Sequence, residues 1–462
     1  MPNRVYVNRT LNLKKITHIG FDMDHTLIRY KSENFEALSH RTIVKKLIQN
    51  KNYPKTLQDL KFDFTLAVRG LVIDRSKGNL LKLNRYGAIR AAFHGVKPLD
   101  FKTQRQIYKS TYIDLSSGDY LAIDTAFSIS NAVLFAQIVT LKEEDTANKY
   151  PDFAQIADDV LEMLDEAHRD GSLKNEVKKN LDLYIIKDES VVRGLERYLK
   201  HGKKIFVLTN SDFAYTKLLM DYAINPFLKE HQNWTDLFEY VITLSQKPKF
   251  FYQKQNFLKV DYATGLLSNF DEKLKPGIYQ GGYAAKFTDD LGLHGDDILY
   301  IGDHIYGDIL RLKKDCNWRT ALVIEELTEE IDANAKAVPY AQEINRLMHE
   351  KEPLEDELTQ HLTDRIDRPE TTQDKKIEKR CDELQTKISA IDHEISHVIK
   401  KQLALYNAGW GQLMRTGNEE SYFAYQLERY ACVYMSKISN LLAYSPRTYF
   451  RAPRRLLSHE VM

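Results

Sequence analysis

Two carboxylates stand two positions apart in FDMDHT, Phe21 to Thr26, at the point where an apolar stretch ends. The stretch Ile16, Thr17, His18, Ile19, Gly20, Phe21 reads as a short buried strand, and strand residues alternate faces, so Asp22 and Asp24 are expected to project to one side. Two acids so placed can hold a divalent cation and divide the work of phosphoryl transfer. An ionised carboxylate attacks phosphorus, and a protonated one delivers its proton to the leaving oxygen. Taken alone the pair also fits a capped strand end, because short acidic patterns recur by chance.

Three later apolar runs end in polar residues of matching chemistry: Thr209, Asn210 and Ser211; Ser245, Gln246 and Lys247; Gly302, Asp303 and His304. With Asp22 as nucleophile and Asp24 as general acid and later base, Thr209, Asn210 and Ser211 would meet the phosphate oxygens. Lys247 would bring positive charge to the equatorial oxygens. Asp303, the Asp22 side chain and the main-chain carbonyl of Asp24 would hold Mg²⁺, with Asp308 orienting a metal-bound water or Lys247. Each residue has an ordinary explanation when taken singly, as a helix cap, a solvated lysine or a turn acid. Four elements in order at successive strand ends read instead as one catalytic constellation.

The elements that must position these residues follow a regular pattern. Runs at Lys204 to Leu208, Tyr240 to Leu244, Ile298 to Ile301 and Thr320 to Ile324 are β-rich, and helical patterns such as Val191 to Lys200 and Gly307 to Lys314 lie between them. That alternation predicts an α/β fold, a Rossmann-like parallel sheet core whose ligands bind beyond the carboxyl ends of the strands. Between the first two strands lies an insertion of about 180 residues, far beyond ordinary loop lengths, which must form its own domain over the ligand site. A hairpin is expected in Gly78 to Ile89 and a helix in Pro151 to His168. The expected organisation is a catalytic core from residues 1–40 and 185–345, a cap and specificity domain at 41–184, and a helical coiled-coil and carboxyl-terminal region at 346–462. Within the last, Ile377, Cys381, Leu384, Ile388, Ile391, Ile395 and Val398 alternate spacings of four and three, a seam for a partner chain or for an intramolecular helical hairpin.

Composition narrows the partners. With 66 Lys plus Arg against 65 Asp plus Glu the net charge is +1, so no global field draws the chain to nucleic acid or anionic membrane. Cys316, Cys381 and Cys432 show no CxxC spacing, which argues against a disulfide framework or a zinc site. The start, MPNRVYVNRTLNLKK, lacks the apolar stretch of a secretory signal, and a cytoplasmic location is expected. The most membrane-like segment, Tyr430 to Tyr444, is too short to span and is expected to be a core helix.

On DMDHT, LTNS, the Lys247 segment and IGDHIYGD, the chain resembles the haloacid dehalogenase-like superfamily. It is more narrowly similar to the cytosolic purine 5'-nucleotidase family, in its IMP/GMP-preferring branch. The strings that carry this are GNLLKLNRYG, GSLK, LTNSD and GDHIYGDILRLKK, continuing through WRTALVIEEL to FAYQLERY. The resemblance implies Mg²⁺-dependent hydrolysis of 6-oxopurine nucleoside monophosphates through an aspartyl-phosphate, which an acceptor nucleoside can also intercept. It implies that the base lies between Phe127 and cap residues that include His168, that Asp165 faces the base, and that Lys174 lies near the phosphate. A carboxylate can accept the N1 hydrogen of hypoxanthine or guanine, where adenine offers a lone pair. Leu161 stands where the family has arginine, and Ser128, a further substrate-binding candidate, where it has asparagine. The resemblance further implies a homo-oligomer, dimer or tetramer, activated by a nucleoside di- or triphosphate at Tyr306, Lys314, Gln426, Arg429 and Tyr430, although Asp124 departs from that pattern. The alternatives are a phosphatase for another small phosphomonoester, such as a sugar phosphate, and a non-catalytic nucleotide-sensing scaffold.

Overall fold

The structure is a computed structural model that describes residues 4–109, 112–367 and 375–460. Its core is a ten-stranded sheet. Seven strands run parallel: β1 (His18–Phe21), β2 (Lys204–Leu208), β3 (Tyr240–Thr243), β4 (Gly277–Gly281), β5 (Ile298–Gly302), β6 (Arg319–Val323) and β7 (Val433–Met435). Their order across the sheet is β7-β6-β5-β1-β2-β3-β4. β1, β3 and β5 are buried from end to end, and β2 from Ile205 onward, as their largely apolar sequences require when both faces are covered. From β1 the chain builds outward through β2, β3 and β4, then crosses back to β5 on the other side. The crevice between β1 and β5 is thus a topological switch point, where ligands of open α/β sheets bind.

The insertion after β1 forms a five-stranded antiparallel sheet with helices that include α1 (Ser32–Asn50), α2 (Ile129–Glu144), α3 (Phe153–Arg169) and α4 (Ser172–Lys179). Helix α1 begins inside the segment 1–40 expected in the core. The hairpin expected in Gly78 to Ile89 joins Asn79–Leu83 to Ile89–His94, with Gly87 at φ +82° in the turn. Asp152 caps α3 by accepting from the Gln155 main-chain N–H, and one face of the helix buries Ile156, Val160, Met163 and Leu164. Leu161, Asp165 and His168, spaced by four and three, form an adjacent stripe that lines a cavity.

The region expected to be helical from 346 to 462 divides. Residues 328–412 form a compact unit of their own, built on α5 (Leu327–Asp367) and α6 (Lys375–Leu403). These run antiparallel, with Lys351 Nζ 2.9 Å from Asp392 and Arg380 Nε 2.7 Å from Glu357, and the seam residues Leu384, Ile388 and Ile395 are buried. The hairpin reading of the seam accounts for that burial. Residues from Leu413 onward return to the core unit, where β7 pairs with β6. Tyr430 to Tyr444 is therefore not one helix. It contains strand β7 and the short helix Ile438–Leu442, because its Val433, Tyr434, Met435 run extends the parallel sheet. No helix among the described residues is long and apolar enough to cross a membrane.

Candidate active site

Register places the chemistry. Phe21 pairs with Val207 on one side and with Ile301 on the other, so the residues that follow β1, β2 and β5 emerge at the same level. Asp22 leaves β1 there, its N–H donating to Ile301 O at 2.8 Å. Its Oδ1 accepts from the Met23 N–H at 2.7 Å and lies 2.9 Å from Lys247 Nζ. Lys247 uses all three ammonium hydrogens, the others going to Asp308 Oδ1 at 2.7 Å and to the Tyr300 hydroxyl at 2.8 Å. Tyr300 in turn donates to Leu208 O at 2.8 Å. It packs this closely because β1 carries glycine beneath it: a Cβ on Gly20 would meet Tyr300 at 2.8 Å and Phe206 at 2.2 Å. The loop bearing Lys247 has Leu244 at φ +42° and Gln246 at φ +56°, a left-handed backbone that non-glycine residues adopt only when surrounding contacts enforce it.

Asp303 follows β5 and is buried, as is Asp308 in the helical turn Ile305–Leu310. One carboxylate oxygen each from Asp22, Asp303 and Asp308 lies within 4.8 Å of the others. Gly302 makes room for this, since a Cβ there would sit 2.3 Å from Asp308 Oδ2. Three buried carboxylates around one ammonium repel each other. Burial, opposed by Lys247 and reinforced by Asp308 and Asp303, pushes the Asp22 carboxyl well above its usual range. Burial also raises Asp303, against the pull of His25 and Arg69. Burial works against the Lys247 ammonium, but Asp22 and Asp308 outweigh it and raise its pKa. A hard divalent cation fits this set: the donors are all oxygen, and their separation suits ligands held at about 2.1 Å in an octahedron, as Mg²⁺ prefers.

Asp24 is not part of that triad. Its carboxylate turns the other way, Oδ1 accepting from the Tyr30 hydroxyl at 2.7 Å and Oδ2 from Ser211 Oγ at 2.8 Å. Any role for Asp24 at a cation falls to its main chain. Asn210 also differs from expectation. Its amide donates to Lys247 O at 3.0 Å and its oxygen accepts from the Lys247 N–H at 2.6 Å, so its side chain braces the lysine loop. Thr209 is fully buried, with Oγ1 accepting from the Ser211 N–H at 3.1 Å.

These residues floor a cavity of about 590 Å³, whose lining includes Asp22, Asp24, Asn210, Ser211, Lys247 and Asp303. Its upper wall comes from the insertion: Phe127, Ser128, Leu161, Asp165, His168 and Lys174. Phe127 and His168 do not form parallel jaws. Their rings meet edge to face with centroids 5.7 Å apart, and Phe127 also touches His25 and Phe35, so the aromatics make one wall. Burial and the charge of Lys174 push His168 down to about 4, which leaves the ring neutral at pH 7. Partial burial raises Asp165 against the pull of Arg169. Lys174 is paired with Asp212.

A family model described as the 5' nucleotidase family matches residues 5–462. The chain belongs to the 5' nucleotidase family. Membership makes it a phosphoric monoester hydrolase. A 5'-nucleotidase domain-containing protein of Dictyostelium discoideum is 29% identical over 472 residues, covering 99% of this chain and 75% of that one. The 5'-nucleotidase domain-containing protein 2 of Homo sapiens is 28% identical over 477 residues, covering 99% and 85%. A crystal structure of a predicted phosphoglycolate phosphatase from Haemophilus somnus superposes with a TM-score of 0.29 at 13% identity, covering 67% of this chain and 85% of that one, too loosely to bear on the site.

In this 5'-nucleotidase family chain the proposed effector positions gather only in part. Lys314 Nζ lies 5.8 Å and Arg429 Cζ 5.4 Å from the centre of the Tyr430 ring, and Tyr306 is exposed. Asp124 faces His304 at 3.8 Å. Sequence reasoning missed Tyr30, which holds Asp24, Tyr300, which holds Lys247, Thr125, beside the Asp303 carboxylate, and Arg69, which holds the Asp303 main-chain oxygen. Only Tyr300, inside the ILYI strand, carried a signal: a polar tip in a buried run needs a partner.

Proposed function

We propose that this chain is a Mg²⁺-dependent 5'-nucleotidase that hydrolyses 6-oxopurine nucleoside monophosphates. The observation that carries the reading is the Lys247 ammonium bridging Asp22 and Asp308 beneath a cavity with an aromatic wall. Asp22 attacks phosphorus while the ester P–O bond breaks and Asp24 gives its proton to the leaving alkoxide. Lys247 balances charge on the phosphoryl oxygens, and Asn210 and Tyr300 keep it in place. Asp24, now ionised, takes a proton from water, which attacks the aspartyl-phosphate, releases phosphate and regenerates Asp22. A nucleoside hydroxyl in the place of water gives phosphotransfer. Asp22, Asp303 and Asp308 would hold Mg²⁺, which when bound would supply Lewis-acid charge to the phosphoryl transfer.

The cavity suits a nucleotide, with the neutral His168 and Phe127 offering apolar contact and Asp165 at the rim offering an acceptor for N1–H. Two cations flanking Tyr430 favour a second, regulatory nucleotide there, phosphates on Lys314 and Arg429. One experiment tests both: phosphate release from IMP, GMP, AMP and sugar phosphates, with and without ATP or GTP, in the parent, Asp22→Asn and Arg429→Ala. IMP or GMP should lead, Asp22→Asn should be inactive, and Arg429→Ala should blunt only the response to triphosphate. A leading sugar phosphate sinks the purine assignment, turnover in Asp22→Asn sinks the nucleophile, and unchanged activation curves remove Arg429.

A further inference from the structure

Arg69 belongs to the insertion, just before the strand Leu71–Asp74, yet its side chain is only 1% exposed and reaches the loop that carries Asp303. Nη1 donates to the main-chain oxygen of Asp303 at 3.0 Å, and Nε to Glu326 Oε1 at 3.0 Å, just beyond β6. The guanidinium carbon Cζ lies over the Phe423 ring, 5.9 Å from its centre. That ring closes in because the next residue is glycine: a Cβ on Gly70, at φ +86°, would meet Phe423 Cβ at 2.6 Å. The planar fork thus has two hydrogen-bonding directions fixed at once, which a lysine could not reproduce. A second residue of the insertion contacts the same aspartate, Thr125 Oγ1 lying 3.4 Å from Asp303 Oδ2.

We propose that Arg69 is a positioning residue for the cation site: by holding the Asp303 carbonyl it sets the direction in which the Asp303 carboxylate leaves the loop. The insertion, which otherwise supplies the cavity wall, then also completes the cation site of the core. This inference rests on the cation reading above. Charge alone predicts the opposite of positioning, since a guanidinium near a divalent cation repels it and its removal would leave Glu326 as an added attraction. The direction of the change in metal affinity therefore separates the two.

The test uses the full-length protein stripped with chelator and titrated with Mn²⁺ in the absence of substrate, followed by electron paramagnetic resonance. Arg69→Gln should bind Mn²⁺ about tenfold more weakly, the scale on which loss of a group that orients a ligand is felt. The double variant Arg69→Gln with Glu326→Gln leaves no unpaired charge and keeps the net charge of the pair, so it remains informative if the single variant does not fold; it should show the same weakening. Arg197→Gln is the structural control. Arg197 also donates to main-chain oxygens, those of Leu442 and Tyr444, so its loss should lower the melting temperature while Mn²⁺ binds as in the parent. Parental or tighter binding in the Arg69 variants overturns the inference while the cation site stands. A parent that binds no Mn²⁺, or binds it as well after Asp303→Asn, overturns the cation reading and this inference with it.

Discussion

Glu36, on α1 against the start of α2, shows how costly an ionised group is in a buried place. It is 1% exposed, and its Oε2 accepts from the Ser130 N–H at 2.6 Å while Oε1 is without a partner. Burial, opposed by the Ser130 hydrogen bonds, pushes its carboxyl up to about 7. Below pH 4.5 both folded and unfolded chains hold this proton and the group is silent. As pH rises from there towards 7 the unfolded chain has released a proton that the folded one retains, so this residue's contribution to stability falls across that window and then levels. Glu36→Gln, which keeps the shape and cannot ionise, should therefore gain on the parent as pH rises, by up to about 3 kcal/mol between pH 4.5 and pH 8. Urea unfolding at a series of pH values measures it. A constant difference between the two proteins would mean that Glu36 is ionised without penalty in the fold. The same physics bears on Asp22, whose burial among carboxylates raises its pKa even with the Lys247 ammonium beside it.

At the scale of elements, the reactive ends of β1, β2, β3 and β5 were legible because each apolar run stops at a polar cluster and parallel strands bring such ends together. What stayed hidden were the directions of side chains that leave irregular backbone. Asn210 looked like a phosphate donor by position, yet its amide closes on the Lys247 main chain; the Asp24 carboxylate is held by Tyr30 and Ser211, contacts that its place in FDMDHT does not announce. Arg69 gave no signal, since its partner is a main-chain oxygen 234 residues along the chain. Strand β7 lies where a helix is expected, because a short apolar run does not declare its period. Gly302, by contrast, has a role that follows from the space beside it. Gly302→Ala places a Cβ 2.3 Å from Asp308 Oδ2 and must displace that carboxylate, loosening Lys247 with it. kcat/KM should fall about 100-fold, the usual consequence of moving a catalytic group by an ångström. Gly118→Ala, where an added Cβ meets nothing within 4 Å, should leave it unchanged. Equal activity in all three proteins would show that Asp308 need not stand where it does.

At the scale of the molecule, two bodies of different construction share one chain. Residues through Leu327 and from Leu413 onward contain every residue of the cavity and the apolar core of the sheet. Residues 328–412 form a charged helical hairpin whose buried seam is thin, Leu384 at 0%, Ile388 at 5% and Ile395 at 8% exposure. Its ion pairs, such as Lys351 with Asp392 and Arg380 with Glu357, are exposed and contribute little individually. The hairpin therefore depends on that seam, and a charge placed in it has no counterion. Leu384→Asp should melt the hairpin, seen as lost helical signal in circular dichroism and as cleavage within 328–412 by a protease that spares the parent. Phosphate release at saturating substrate should remain within about twofold of the parent, because each body carries its own core and local unfolding of one does not require unfolding of the other. Loss of turnover together with the helical signal would instead mean that the hairpin takes part in catalysis through assembly or regulation, and would move the search for the control of this nucleotidase from the Tyr430 cluster to the helices.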